Sequence, residues 1–180
     1  QIEAAQTLVV VEDLYRPYRP KRRTRAMIAK EKGLEPLAAL ITLQKAEKPI
    51  EVYAEEYVNP EKEVKSVKEA IDGAKDIIAE SVSDEADYRS WIRKATVQHG
   101  KVISQAKDEK AESVYEMYYD FEEPVTKLAG HRVLALNRGE KEKFLTVKIE
   151  APQDDILRYL EKKMIHSDNP HTTPILKEVA

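Results

Sequence analysis

Eight of the seventeen residues from Arg16 to Lys32 are Lys or Arg, and only Glu31 among them is acidic. Arg16, Arg19, Lys21, Arg22, Arg23 and Arg25 make up the dense part of this run, and such side chains donate charge-assisted hydrogen bonds to phosphate oxygens. Tyr15 and Tyr18 are interleaved with them, and aromatic rings stack on exposed bases. Six phosphate contacts would make binding fall roughly a thousandfold between about 50 and 200 mM salt. The same arginines could instead pair with acidic helices and clamp the domains of a larger protein. Charge is compatible with either reading. The run carries +7 while the whole chain carries −3, which leaves −10 elsewhere. A chain so polarised presents a basic face to an anionic partner or docks that face on its own acidic surface.

A second basic group is His131, Arg132 and Arg138. His131, Ala135 and Arg138 share one helical face, with His131 and Arg138 about 10 Å apart along the axis at ~1.5 Å per residue. Contact with phosphate is one reading. The other makes Arg138 and Glu140 buried partners that fix the start of a strand at Phe144. The run from Tyr115 to Phe121 has the aromatic content of a stacking platform. Glu112, Glu116, Asp120, Glu122 and Glu123 surround it and repel phosphates, so packing or a protein interface suits it better. His166, Asp168 and His171 fit no compact metal motif. His99 ends an apolar stripe at a helix terminus, where it satisfies terminal carbonyls. For catalysis there is no phosphate-cradling glycine loop, no nucleophile elbow, no zinc motif and no Cys. Asp154 and Asp155 sit on solvated helix surface. The expectation is therefore no catalytic residue, no metal and no cofactor.

The elements that must position these residues are mostly helices. Charged residues make up 35% of the chain, with only 5 Gly and 2 Phe, a composition of solvated helices rather than a β-sandwich. The absence of Cys removes any disulfide framework. No apolar run reaches the ~18 residues of a membrane span.

Ala4, Leu8, Val11 and Tyr15 predict a helix with one apolar stripe, stopped by Pro17 and Pro20. The stretch 16–24 is then a stiff, exposed connector. A helix over 24–33 closes on Gly33, and Pro36 opens the next, giving a helix-turn-helix outline. A helical stretch follows Pro49 and ends at Asn59-Pro60. Ser66-Val67-Lys68-Glu69 is a capping box, after which Val67, Ile71, Ala74, Ile78 and Val82 form a stripe. Another helix starts near Ser83 or Asp84 and ends at Gly100, its inward face Tyr88, Trp91, Ile92, Ala95 and His99.

Beyond Lys101 the pattern mixes. Strands are predicted at 102–106 and 144–149, helices at 127–138 and 153–164, and an irregular tail at 167–174. The expected fold is mainly α, a multi-helix scaffold with helix-turn-helix-like elements and a small antiparallel β element. It divides into a helical region at 1–100 and a mixed segment at 101–180. The opening Gln1-Ile2-Glu3, without Met, enters mid-helix and reads as a fragment.

Three stretches carry a family resemblance. The first is Glu12-Asp13-Leu14-Tyr15-Arg16-Pro17-Tyr18-Arg19-Pro20-Lys21-Arg22-Arg23-Thr24-Arg25, continuing through Ile28-Ala29 to Glu31-Lys32-Gly33-Leu34-Glu35-Pro36-Leu37. The second is Tyr57-Val58-Asn59, then Val64, Val67, Glu69-Ala70, Gly73-Ala74 and Asp76-Ile77-Ile78-Ala79-Glu80. The third runs from His131-Arg132-Val133-Leu134 through Asn137-Arg138-Gly139 to Glu142. In this order they resemble the bacterial transcription accessory protein Tex family.

The resemblance implies a cytoplasmic, multidomain protein related to a eukaryotic transcription elongation factor. Its helical N-terminal region precedes an RNase-H-like domain, helix-hairpin-helix elements and a C-terminal RNA-binding domain. This chain is expected to match the helical region and to end before the others. The implied partner is nucleic acid, RNA or DNA, bound weakly by this chain alone. RNA polymerase or other transcription proteins are the partners if the run is a docking module instead.

Overall fold

Local capping chemistry sets several helix ends. The computed structural model describes residues 2–20 and 22–180, the side chain of Ile2 excepted. Thr7 opens α1 (Leu8–Tyr15), its hydroxyl accepting from the Val10 amide at 3.4 Å. Thr24 does the same for α2 (Arg25–Glu31), from Met27 at 3.1 Å. Gly33, at φ +81°, makes the left-handed turn into α3 (Glu35–Leu43), and the Leu34 amide closes it on the Ala29 carbonyl. After α4 (Ile50–Ala54), Ser66 opens α5 (Val67–Asp84) by accepting from the Glu69 amide. Glu69 in turn accepts from the Lys65 amide, one residue before the position of the standard box.

The chain divides into two compact units, one of residues 1–90 and 157–180, the other of 91–156. Helices α6 (Ala86–His99) and α8 (Gln153–Met164) run across the division.

In the first unit α5 is the central helix, packed by α2, α3, α4 and α9 (Thr173–Val179). Its buried face is Ala70, Ala74, Ile77 and Ile78, while Val67, Ile71 and Val82 are half-buried, so the stripe is rotated from the expected one. Small residues explain the rotation. A Cβ on Gly73 would lie 2.4 Å from Leu34 Cδ1 and 3.3 Å from Ala29 Cβ, so the α2–α3 turn sits directly on this face. Leu34, Leu37, Ile41 and Ile50 complete the core.

In helix α1 the apolar stripe of Leu8, Val11 and Tyr15 lies mostly outside the core. Leu8 is 72% exposed, Tyr15 is exposed, and the buried side chain of this helix is Asp13. The tail is irregular from 167 to 172, as expected, and only Thr173 and Pro174 of the expected segment enter a helix. It ends in α9, and Gln44, itself left-handed at φ 54°, pins the approach to it. Gln44 accepts at Oε1 from the His166 and Ser167 amides, at 2.8 and 3.1 Å.

In the second unit β1 (Lys101–Ala106) lies between β2 (Asp120–Pro124) and β3 (Leu145–Glu150) in one antiparallel sheet. Strand β2 was hidden in the acidic Tyr-rich stretch. Helix α7 (Gly130–Lys141) packs on β3, with Gly139 allowing the approach of Leu145. Val102, Tyr115, Tyr118, Leu136 and Leu145 form the core, so the aromatic run packs inside. His99 is exposed, not part of an inward face.

Candidate nucleic-acid interface

Prolines set the path of the basic connector. Pro17 lies in a short 3-10 helix, Arg16–Tyr18, that ends in extended backbone at Arg19. Pro20 and residues 22–24 lie outside regular structure, and Thr24 caps α2. Arg19, Arg22, Arg23 and Arg25 are exposed along this path.

The connector lies against an acidic ladder that the sequence reading missed. Asp76, Glu80 and Asp84 recur every four residues on α5 and so share one face. Arg16 Nε donates to Asp84 Oδ1 at 3.2 Å. The Thr24 hydroxyl donates to Glu80 Oε2 at 2.8 Å, and Lys30 Nζ stands 4.0 Å from Glu80 Oε1. Arg25 approaches Asp76 at 3.4 Å. The acids are largely covered, with side-chain exposures of 28%, 18% and 15%, whereas Arg25 remains 87% exposed. The signal for the ladder was present as acids at spacing four, but its partners lie far away in sequence.

The five described arginines of the connector thus separate into three groups. Arg16 and Arg25 are engaged by α5. Arg23 pairs with Glu31 at 2.7 Å on open surface, where both side chains stay more than half exposed. Arg19 and Arg22 make no ion pair with any described residue. Lys21 lies outside the described residues. The rings of Tyr15 and Tyr18 are exposed, Tyr18 at 77%.

In the second unit His131 and Arg138 are exposed on α7. Arg132 is held differently. Its Nη1 donates to Glu123 Oε1 on β2 at 2.6 Å, and its guanidinium lies 5.8 Å from the centre of the Phe121 ring. Arg138 and Glu140 are not the buried partners expected, because both are exposed. Glu140 does meet the strand, accepting from the Val147 amide at 3.4 Å. Arg138 instead acts on Tyr115. Burial raises the Tyr115 phenol above its ordinary value, a hydrogen bond with Glu142 adds to this, and Arg138 opposes it.

Among the described residues no group of three or more His, Cys, Asp or Glu comes together to hold a metal. Nor is any helix among them long and apolar enough to cross a membrane. Among the described residues, the geometry leaves Arg19, Arg22, Arg23 and Arg25 exposed near the exposed rings of Tyr15 and Tyr18.

Residues 44–172 match the Tex central region-like family model. The chain is 49% identical over 99% of its length to "Uncharacterized protein YdcI" of Bacillus subtilis, covering 25% of that protein. It is 37% identical over 86% of its length to "Transcriptional accessory protein Tex" of Neisseria gonorrhoeae, covering 20% of it. The human "S1 RNA-binding domain-containing protein 1" is 28% identical over 86% of this chain, which covers 16% of it. The chain therefore spans a quarter or less of the length of these relatives. The match extends past the motifs from which the resemblance was read, as far as residue 172, and with that coverage the chain belongs to the Tex family.

Proposed function

We propose that this segment is a non-catalytic helical part of a transcription accessory factor whose connector supplies a phosphate-binding surface for RNA or DNA. The observation that carries the reading is the exposure of three guanidinium groups on a proline-stiffened path. Arg19 and Arg22 have no ion pair among the described residues, and Arg23 is 69% exposed beside its surface pair with Glu31. Lys21 joins them by its place in the sequence. Tyr18 offers an adjacent ring for an unstacked base. The names of relatives support the setting, one a transcriptional accessory protein and another an S1 RNA-binding domain-containing protein. On α7, His131 and Arg138 form a separate candidate contact. Arg132 is assigned to holding β2 and α7 together through Glu123.

Fluorescence anisotropy of a labelled single-stranded RNA and of a DNA duplex, each at low and physiological salt, tests this. Four phosphate contacts predict a loss of roughly a hundredfold between about 50 and 200 mM salt. The Arg19→Ala/Arg22→Ala/Arg23→Ala variant should lose binding while keeping its fold. Absence of binding by the parent chain at low salt removes the proposal.

The ladder on α5 favours a second role for Arg16 and Arg25, that of clamps within a scaffold. A docking module for RNA polymerase or other transcription proteins would bind its partner with little dependence on salt.

A further inference from the structure

The acidic ladder and the connector meet as a charged ligand and its site would. Asp84 faces Arg16 at 3.2 Å, Glu80 faces Lys30 at 4.0 Å, and Asp76 faces Arg25 at 3.4 Å. Three of the basic run's cations are thereby turned toward carboxylates of their own chain. The contacts are uneven. Asp84 and Glu80 are mostly covered, and the Thr24 hydroxyl reinforces Glu80 at 2.8 Å. The Arg25 pair is the most open of the three, so water and a competing anion both reach it.

We propose that the α5 ladder is an internal competitor of phosphate, an autoinhibitory contact that withholds Arg16, Arg25 and Lys30 until a polyanion displaces it. This rests on the phosphate-binding reading of the connector. It adds that the resting protein binds with only part of its basic run, and that full engagement requires the connector to leave α5. Arg25 exchanges first, because its pair is the most exposed, and Arg16 last.

The experiment compares the parent chain with Asp76→Asn/Glu80→Gln/Asp84→Asn in anisotropy titrations of labelled oligouridylate across a salt series. Glu51→Gln/Glu55→Gln/Glu56→Gln, at exposed acids that pair with no described residue of the connector, makes the same change in net charge. Asp76→Asn alone is included because its weak pair contributes little to the fold. Freeing three cations should steepen the slope of log affinity against log salt by about 2 to 3, and freeing Arg25 alone by about 0.7 to 0.9. The triple variant should bind on the order of tenfold more tightly at low salt.

An equal gain in the control variant overturns the proposal, since net charge alone would then explain it. So does unchanged binding by a folded Asp76→Asn chain. If the parent binds nothing but the ladder variant binds, the inhibitory contact is supported in its strongest form. If neither binds, the phosphate-binding reading itself has failed.

Discussion

Asp13, buried on a helix whose apolar side chains lie largely in solvent, accepts from Arg89 Nε at 2.8 Å. One ion pair thus ties α1, and the connector that follows it, to the start of α6. Removing a partner of a buried carboxylate costs about 1–3 kcal/mol. Arg89→Ala should lower the urea midpoint accordingly and speed trypsin cleavage after Arg22, Arg23 or Arg25. Unaltered cleavage would mean that the ladder contacts hold the connector without α1.

Within the connector, arginines that look alike in sequence should behave differently. Arg19→Ala and Arg22→Ala should leave stability within about 0.5 kcal/mol and weaken nucleic-acid binding. Arg16→Ala should instead destabilise, because Asp84 is mostly covered and loses its 3.2 Å donor. Thermal melts beside anisotropy would separate the two classes, and identical behaviour would remove the distinction drawn here.

Gly73 is required by close approach. An added methyl would meet Leu34 Cδ1 at 2.4 Å, and Leu34, itself buried, would have to shift within the core. Gly73→Ala should therefore destabilise by about 1–3 kcal/mol despite the better helix propensity of Ala. A melting temperature equal to or above that of the parent would contradict this packing.

Gln44 holds the tail by both ends of its amide. Its Nε2 donates to the Met164 carbonyl at 2.6 Å while Oε1 accepts from two amides. Gln44→Ala removes the donor of the buried Met164 carbonyl and the acceptor of the two partly covered amides, and keeps a left-handed backbone that Ala disfavours. A loss of roughly 2–4 kcal/mol is expected in urea denaturation. Hydrogen exchange should show the loss concentrated at 164–173.

Alkaline pH should weaken the first unit through Tyr88 and Tyr159, whose rings meet edge to face at 5.9 Å. Burial is the main cause raising both phenols, with Glu85 and Asp87 adding to it at each. Tyr159 is raised further by Tyr88. Below the ordinary value of 10.0 both are neutral whether folded or unfolded, and stability is unaffected. As pH rises above it, the unfolded chain loses protons first, so stability falls until the folded phenols also ionise. Tyr159→Phe should flatten that decline. Tyrosinate absorbance during alkaline titration should show a late fraction that disappears on unfolding.

Much of the local structure was legible because its causes are local. Ser66 with Glu69, Thr24 before α2, Pro36 at the start of α3 and Gly33 at φ +81° each act within a few residues. Period-two apolar spacing marked β3 for the same reason. Strand β2 escaped because three of its five residues are acidic, and only pairing with β1 makes them a strand. The arginine-rich connector was also evident, since charge density and proline spacing can be read directly.

By itself the sequence determined several helix ends with their caps, the basic run and the family, all matters of residue type and short spacing. Tertiary structure decided which face of α5 is buried, because Gly73 and Ala29 allow a contact that hydrophobicity alone would place elsewhere. It decided that Arg16 meets Asp84 and that Arg19 and Arg22 meet no described acid. Those pairings span 68 residues in the case of Arg16, and only chain packing brings such partners within the few ångströms over which ion pairs form.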